Sequence, residues 1–253
     1  MGTALRGHLA SAPDIELAAE HTRHTDLQEF LRHELDVVVD LSKGEGVDTH
    51  GPAVVKRGIP YIVGATGYKP VTIELLTGLS DAADSPVLIV PNFSLGANLM
   101  LRFAAQAARL MEAPVITERH HMGKADAPSG TALFTAQRIV EARGGVLDGG
   151  AGVPAGQKAG TETRPTKSST AGSFTESLDH VLGGALGGVA IHSLRGDGYL
   201  AEQQVAFTLP GESLSIEHRS IDRRCFMSGI IYAIRNISRV RGLVIGLDAI
   251  LEL

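Results

Sequence analysis

Three short apolar runs constrain this chain more than anything else in it: Leu35–Leu41 (Leu-Asp-Val-Val-Val-Asp-Leu), Ile59–Val63 and Val87–Val90. Runs apolar at nearly every position suit strands buried on both faces, as in a parallel sheet covered by helices. Helical spacing of apolar residues fills the intervals, over Val47–Arg57 and Ile73–Ala83. Ile15–Ala19 reads as a further short strand ending at Glu20, after a helix over Met1–Ser11 and a turn at Pro13-Asp14. Strand–helix alternation from Ile15 to Pro91 predicts a parallel sheet with crossover helices. Ligands of such sheets bind beyond the carboxyl ends of the strands, and Gly64–Thr66 and Val90–Phe93 occupy such ends.

A second stretch carries the chemistry: Glu118-Arg119-His120-His121-Met122-Gly123-Lys124-Ala125-Asp126-Ala127-Pro128-Ser129-Gly130-Thr131-Ala132. Val115–Glu118 reads as a strand that delivers His120, following a long helix over Ala97–Met111. Pro128 keeps Ala127 out of the helical region. Ser129 is the expected N-cap of a helix whose apolar positions are Ala132, Leu133, Ala136, Ile139 and Val140. A helix opening with Gly130 and Thr131 presents backbone N–H groups and a positive dipole end, which suits a carboxylate or phosphate. With the imidazoles of His120 and His121 and the ammonium of Lys124 just upstream, the stretch forms an anion cradle beside groups able to deliver a proton near neutral pH. Adjacent histidines rarely point at one ion, and the only cysteine, Cys225, is distant in sequence, so no metal is expected. The net charge of −5 gives no general attraction to nucleic acid. No apolar run approaches the roughly 20 residues needed to span a bilayer. One cysteine and the lack of a leader-like apolar segment after Met1 fit a reducing cytoplasm.

The run Glu-x-His-His-x-x-Lys-x-Asp-Ala-Pro-Ser-Gly-Thr-Ala from Glu118 to Ala132 resembles the signature of the 4-hydroxy-tetrahydrodipicolinate reductases of lysine biosynthesis. Gly64-Ala65-Thr66-Gly67 is similar to the family's GTTG loop, with Ala65 in place of a threonine. Asn92-Phe93-Ser94-Leu95-Gly96-Ala97-Asn98 is similar to its NFSxGxN segment. The resemblance covers nearly the whole chain except its very start. It implies a Rossmann-like nucleotide domain over 1–94 and 224–253. It also implies an α+β substrate and tetramerisation domain with a mixed open sheet over 95–223. NADH or NADPH is the implied cofactor, a cyclic dicarboxylate the substrate, and a homotetramer the assembly. The implied roles make His120 the acid that protonates the reduced ring, with Lys124 assisting by charge. His121, Gly130 and Thr131 hold a substrate carboxylate, and Asp126 braces the loop. Gly64, Ala65 and Thr66 contact the nicotinamide half of the cofactor, and Val90, Pro91, Asn92 and Phe93 complete its site. Glu20 accepts from the adenosine ribose, and Arg23 stands where a 2′-phosphate would lie. Arg195, in Ile191–Gly196, is a weaker candidate for substrate or interface contact.

The start departs from the family. Met1 and Gly2 look like the last residues of the glycine-rich phosphate turn, so the first strand of the nucleotide fold has no counterpart. Two readings accommodate this: a start set at an internal methionine, or a truncated non-catalytic homologue that binds a dicarboxylate or modulates an active partner. Further mild departures are Leu41 and Ser42, where the family carries Phe and Thr. Gly144–Ser173 reads as a long Gly-, Pro-, Ser- and Thr-rich loop. Val189–Ser193, Gln203–Leu209 and Ser213–Ser220 read as strands, Ile221–Cys225 as the return crossing and Phe226–Ile237 as a helix packing back on the nucleotide domain.

Overall fold

The structure, a computed structural model, describes residues 1–145 and 183–252. In chain order its elements are α1 (Gly2–Leu9), α2 (Leu27–Phe30), β1 (Val38–Asp40), α3 (Gly44–Val55), β2 (Tyr61–Val63), α4 (Pro70–Ala83), β3 (Val87–Ile89) and α5 (Leu95–Ala107). There follow β4 (Glu112–His120), α6 (Gly130–Ala142), β5 (Gly183–Leu186), β6 (Val189–Arg195), β7 (Ala201–Leu209), β8 (Glu212–Ser220), α7 (Cys225–Asn236) and β9 (Leu243–Ile245). The described residues form two compact units, one of 1–99 and 220–252, the other of 100–145 and 183–219, and the chain crosses between them within α5.

The first unit is built on a four-stranded sheet in the order β1-β2-β3-β9, all neighbours parallel. Successive side chains of a strand point to opposite faces, and this explains the continuous apolar runs. Tyr61, Val63, Val87 and Ile89 enter one core with Val47, Val54 and Val55 of α3 and Leu76 of α4. Ile62, Leu88 and Val90 enter a second core on the other face with Met227, Ile230 and Ala233 of α7.

Two features of this sheet differ from the sequence expectation. Ile15–Ala19 is irregular and belongs to no ladder among the described residues, and Glu16, Leu17 and Ala18 are exposed. A strand needs a neighbour to take its N–H and C=O groups. The sheet edge is β1, which pairs on one side only, with β2, so apolar composition alone did not make a strand. Glu20 therefore stands on irregular backbone rather than at a strand end. The second feature is β9, a three-residue strand that enters the sheet after Gly242 and is too short to announce itself by pattern.

The second unit holds a five-stranded mixed sheet, order β5-β6-β4-β7-β8, with β4 parallel to β6 and antiparallel to β7. Its inward face (Ile116, Ile191, Val205, Phe207) packs on Met100 and Ala104 of α5 and Ala132, Ala136 and Ile139 of α6. Strand β5 was not foreseen. It forms a hairpin with β6 through Gly187 and Gly188, both at positive φ (54° and 82°), as a tight two-residue turn requires. The expected Gly144–Ser173 loop lies outside the described residues from 146 onward.

Candidate active site

Strand β4 places the site. It runs two residues further than its apolar pattern suggested, so Glu118 and His120 are both strand residues, spaced i,i+2 and hence on one face. His120 pairs across the ladders with Arg195 of β6 and Ala201 of β7. Gly196 N donates to the His120 carbonyl at 3.0 Å, closing the end of the strand pair.

Glu118 is completely buried. Its Oε2 takes a short hydrogen bond from His120 Nδ1 and one from Arg195 Nη1 at 3.2 Å. Its Oε1 accepts from Arg195 Nη2 at 3.1 Å and from the Ser129 backbone N–H at 3.3 Å. Burial alone would raise this carboxyl, but the His120 imidazole, the Ser193 hydroxyl and the Arg195 guanidinium outweigh it and bring its pKa down to about 2. The group is thus an anion across the working range. The His120 side chain is only 14% exposed. With Nδ1 held by Glu118, its Nε2 is the nitrogen left for a substrate.

The loop after β4 carries the cations. His121 is exposed, and Lys124 N donates to its carbonyl at 3.1 Å in a turn. Lys124 Nζ donates to both oxygens of Asp126, at 2.8 and 2.9 Å. Burial raises the Asp126 carboxyl, but the Lys124 ammonium, and more weakly His120, bring it below its ordinary value. Ser129, the N-cap of α6, accepts from Ala132 N at 3.2 Å as the sequence indicated. Gly130 and Thr131 follow in the first turn of the helix, where N–H groups point along its axis. One short stretch of the second unit therefore brings together a carboxylate-backed imidazole, an ammonium and a helix N-terminus. Such a set can bind an anion and protonate an atom next to it.

Arg195, the weaker candidate for substrate or interface contact, turns its guanidinium onto groups of its own unit. Besides Glu118, it donates from Nη2 to the Asp126 carbonyl at 2.6 Å and from Nη1 to the Leu194 carbonyl at 2.8 Å. Sequence reasoning missed Glu118 as the centre of the site. The i,i+2 spacing of Glu118 and His120 on a strand was the signal that could have found it. Among the described residues no group of three or more His, Cys, Asp or Glu side chains could hold a metal ion.

The residues expected at a cofactor lie in the first unit. Gly64, Ala65 and Thr66 follow β2, and Val90–Phe93 follow β3, so both loops stand at carboxyl ends of parallel strands. Pro91 and Thr66 are exposed, Gly64 and Asn92 half-buried, and Asn92 Oδ1 accepts from Ser94 N at 2.8 Å. Ala65, Val90 and Phe93 are buried. Phe93 acts as a wedge: a Cβ on Gly64 would lie 2.4 Å from its ring, and a Cβ on Gly229 of α7 would lie 1.7 Å from its carbonyl oxygen. What the loops offer a flat ring is close backbone held by that packing, and on this ground the residues fit a nicotinamide. Met1 and Gly2 open α1 and are exposed. Glu20 forms an exposed ion pair with Arg6 at 3.4 Å, and Arg23 Nε donates to His24 Nε2 at 3.0 Å.

Asp40, at the end of β1, is a second buried carboxylate. It accepts from Tyr61 Oη at 2.6 Å and Ser42 N at 2.9 Å and pairs with His50 Nδ1 at 3.0 Å. Burial pushes its pKa up, and the bonds from Ser42, Tyr61 and His50 outweigh that and lower it.

Comparison with known proteins agrees with this geometry. The profile described as "Dihydrodipicolinate reductase, N-terminus" matches residues 1–93, and that described as "Dihydrodipicolinate reductase, C-terminus" matches residues 96–251. The chain is 38% identical to the 4-hydroxy-tetrahydrodipicolinate reductase of Nocardia farcinica, over all of this chain and 95% of that protein. It is also 38% identical to that of Geobacillus thermodenitrificans, over 86% of this chain and 74% of the relative. Among solved structures it is similar to a dipicolinate-bound dihydrodipicolinate reductase from Paenisporosarcina sp. TG-14, with a TM-score of 0.69 and 30% identity over 96% of this chain and 84% of that one.

Proposed function

The chain belongs to the dihydrodipicolinate reductase family, and from that premise we propose how its residues perform the family's reaction. The protein is an NAD(P)H-dependent oxidoreductase of lysine biosynthesis. It reduces 4-hydroxy-tetrahydrodipicolinate, after loss of water to the conjugated ring, to tetrahydrodipicolinate. Relatives that carry this activity share its full length, so the reading of a non-catalytic dicarboxylate binder is not favoured.

When bound, NAD(P)H would supply a hydride to the ring carbon remote from the imine. Gly64, Ala65 and Thr66, with Val90, Pro91, Asn92 and Phe93, hold the nicotinamide end of the cofactor. Met1, Gly2 and Glu20 serve its phosphates and ribose. The electron pair brought by the hydride leaves the adjacent ring carbon basic, and His120 delivers a proton to it from Nε2. The positive charge on His120 before transfer is offset by Glu118, and solvent returns the proton afterwards. Lys124 binds a substrate carboxylate in place of Asp126. His121 and the first-turn N–H groups of Gly130 and Thr131 bind carboxylate as well. The substrate set is therefore anionic at two points and proton-accepting at a third, as a cyclic dicarboxylate demands.

The observation that carries this reading is the Glu118–His120 hydrogen bond next to the Lys124 ammonium and the start of α6. The homotetramer and the cytoplasmic location are parts of the same proposal. The single cysteine supports the latter. For the former, Leu194 is 39% exposed on the sheet face opposite α5 and α6. Calorimetric titration with dipicolinate tests the substrate side. Lys124→Ala should weaken binding by about tenfold or more, the range for losing a charge-assisted hydrogen bond. Unchanged affinity would remove Lys124 from the site.

A further inference from the structure

Glu118 is fully buried, and no proton or hydride passes through it in the reaction set out above. Burying a charge is costly, and a buried ion pair is by itself weak evidence for stability, since an apolar pair of similar volume often serves as well. Its partners point to another purpose. Both carboxylate oxygens are engaged, Oε2 by His120 and Arg195, Oε1 by Arg195 and Ser129 N. Arg195 also holds the Asp126 carbonyl, and Asp126 holds Lys124. One continuous set of hydrogen bonds thus joins the proton donor, the anion-binding loop and the N-cap of α6.

We propose that Glu118 and Arg195 are a positioning pair for proton delivery: Glu118 accepts the Nδ1 proton of His120 and so keeps Nε2 as the delivering atom, while Arg195 fixes Glu118 and the Lys124–Asp126 loop in one frame. The inference rests on the reductase reading. Its physical core is the tautomer. A carboxylate can only accept, so the neutral imidazole beside it carries its proton on Nδ1. An amide at position 118 cannot satisfy both neighbours in that way. The guanidinium, which only donates, takes the amide oxygen, and the amide NH₂ then faces His120 Nδ1. The imidazole is left with its proton on Nε2 in the neutral form and with no anion to offset the imidazolium. Asp126 and Lys124, the other charges near the ring, form a pair of their own and do not replace Glu118.

The test is Glu118→Gln, with Glu118→Asp as the conservative variant and His120→Gln as the reference. Expected for Glu118→Gln is a fall in kcat of about 10²- to 10⁴-fold, as when an orienting carboxylate becomes an amide. KM and dipicolinate affinity should stay within about threefold, because Arg195 still donates to the Asp126 carbonyl and holds the Lys124 loop. Glu118→Asp keeps the charge and should recover at least about tenfold of the loss. Nitrogen-15 NMR of labelled histidines, assigned with His120→Gln, should show His120 as the Nδ1–H tautomer in the wild type and as Nε2–H in Glu118→Gln. If Glu118→Gln does not fold, the double variant Glu118→Leu, Arg195→Met leaves no unpaired buried charge. It should fold, lose the Nδ1–H tautomer and show the same fall in kcat. Wild-type kcat and an unchanged tautomer in either folded variant would overturn the proposal. A wild-type chain with no turnover would sink the reductase reading instead, and the tautomer measurement would still decide on Glu118.

Discussion

Replacing Gly229 by alanine strikes the cofactor loop without touching any group that meets substrate. Gly229 lies in α7 directly under the Val90–Phe93 loop, and an added Cβ would sit 1.7 Å from the Phe93 carbonyl oxygen, where ordinary contact begins at 3.4 Å. The gap must open by as much again, and the neighbour is backbone, so no side chain can rotate away. Overpacking of this kind costs about 1–3 kcal/mol, against which alanine returns up to about 1 kcal/mol of helix propensity. A net loss of about 1–2 kcal/mol corresponds to a fall in Tm of about 2–8 °C for a chain of this size. Because the displaced atoms belong to the loop that closes on Gly64, NADPH affinity should fall by about tenfold or more, equivalent to about 1.4 kcal/mol. Thermal unfolding with and without cofactor, together with NADPH fluorescence titration, reads both quantities. Gly78→Ala is the control. Gly78 is an exposed helical position of α4 where a Cβ would meet nothing within 4 Å, so that change should raise Tm. If Gly229→Ala instead behaves like Gly78→Ala and binds NADPH as the wild type does, the packing argument for the cofactor loop fails.

His120→Gln should lower kcat by about 10²- to 10⁴-fold with little change in dipicolinate binding, the signature of a lost general acid; steady-state rates beside calorimetry decide it. Asp126→Asn releases Lys124 from its internal carboxylate, so dipicolinate should bind about two- to fivefold tighter, the value of a part-exposed ion pair; weaker binding by calorimetry would show that Asp126 braces the loop more than it competes. The Glu118 carboxyl is lowered to about 2 from 4.5, so its stabilisation is fully present above about pH 4.5 and is lost as pH falls toward about 2. It is worth on the order of 3 kcal/mol. Urea midpoints across that window should fall more steeply for the wild type than for Glu118→Gln, and parallel curves would contradict the assignment.

Much of the first sheet was legible because its strands are apolar on both faces, a pattern that few alternatives share. Val38–Asp40, Tyr61–Val63 and Val87–Ile89 all fall inside the runs read from sequence. Ile15–Ala19 shows the limit of that reasoning: a strand is a relation between segments, and among the described residues this segment has no partner strand to complete it. The Gly-rich β5 and the three-residue β9 were invisible for the converse reason, since their neighbours and not their composition make them strands. At the site, His120, Lys124 and the Ser129 cap could be read because they lie close together in sequence. Only its i,i+2 spacing to His120 sets Glu118 apart from an ordinary strand-end charge in the sequence, and the guanidinium that fixes it comes from Arg195, 77 residues away. Arg195 itself read as a contact for some other molecule, while the fold turns its guanidinium inward onto Glu118 and the Asp126 carbonyl.

The central claim is that this chain reduces a cyclic dicarboxylate with hydride from NAD(P)H and a proton from His120. The most direct measurement is oxidation of NADH and NADPH by the purified chain, with substrate formed in place by the preceding synthase and His120→Gln run in parallel. Substrate-dependent oxidation that collapses in His120→Gln is the predicted result. Oxidation that persists unchanged in the variant, or a folded wild-type chain that binds dipicolinate and turns over nothing with either cofactor, would contradict the account.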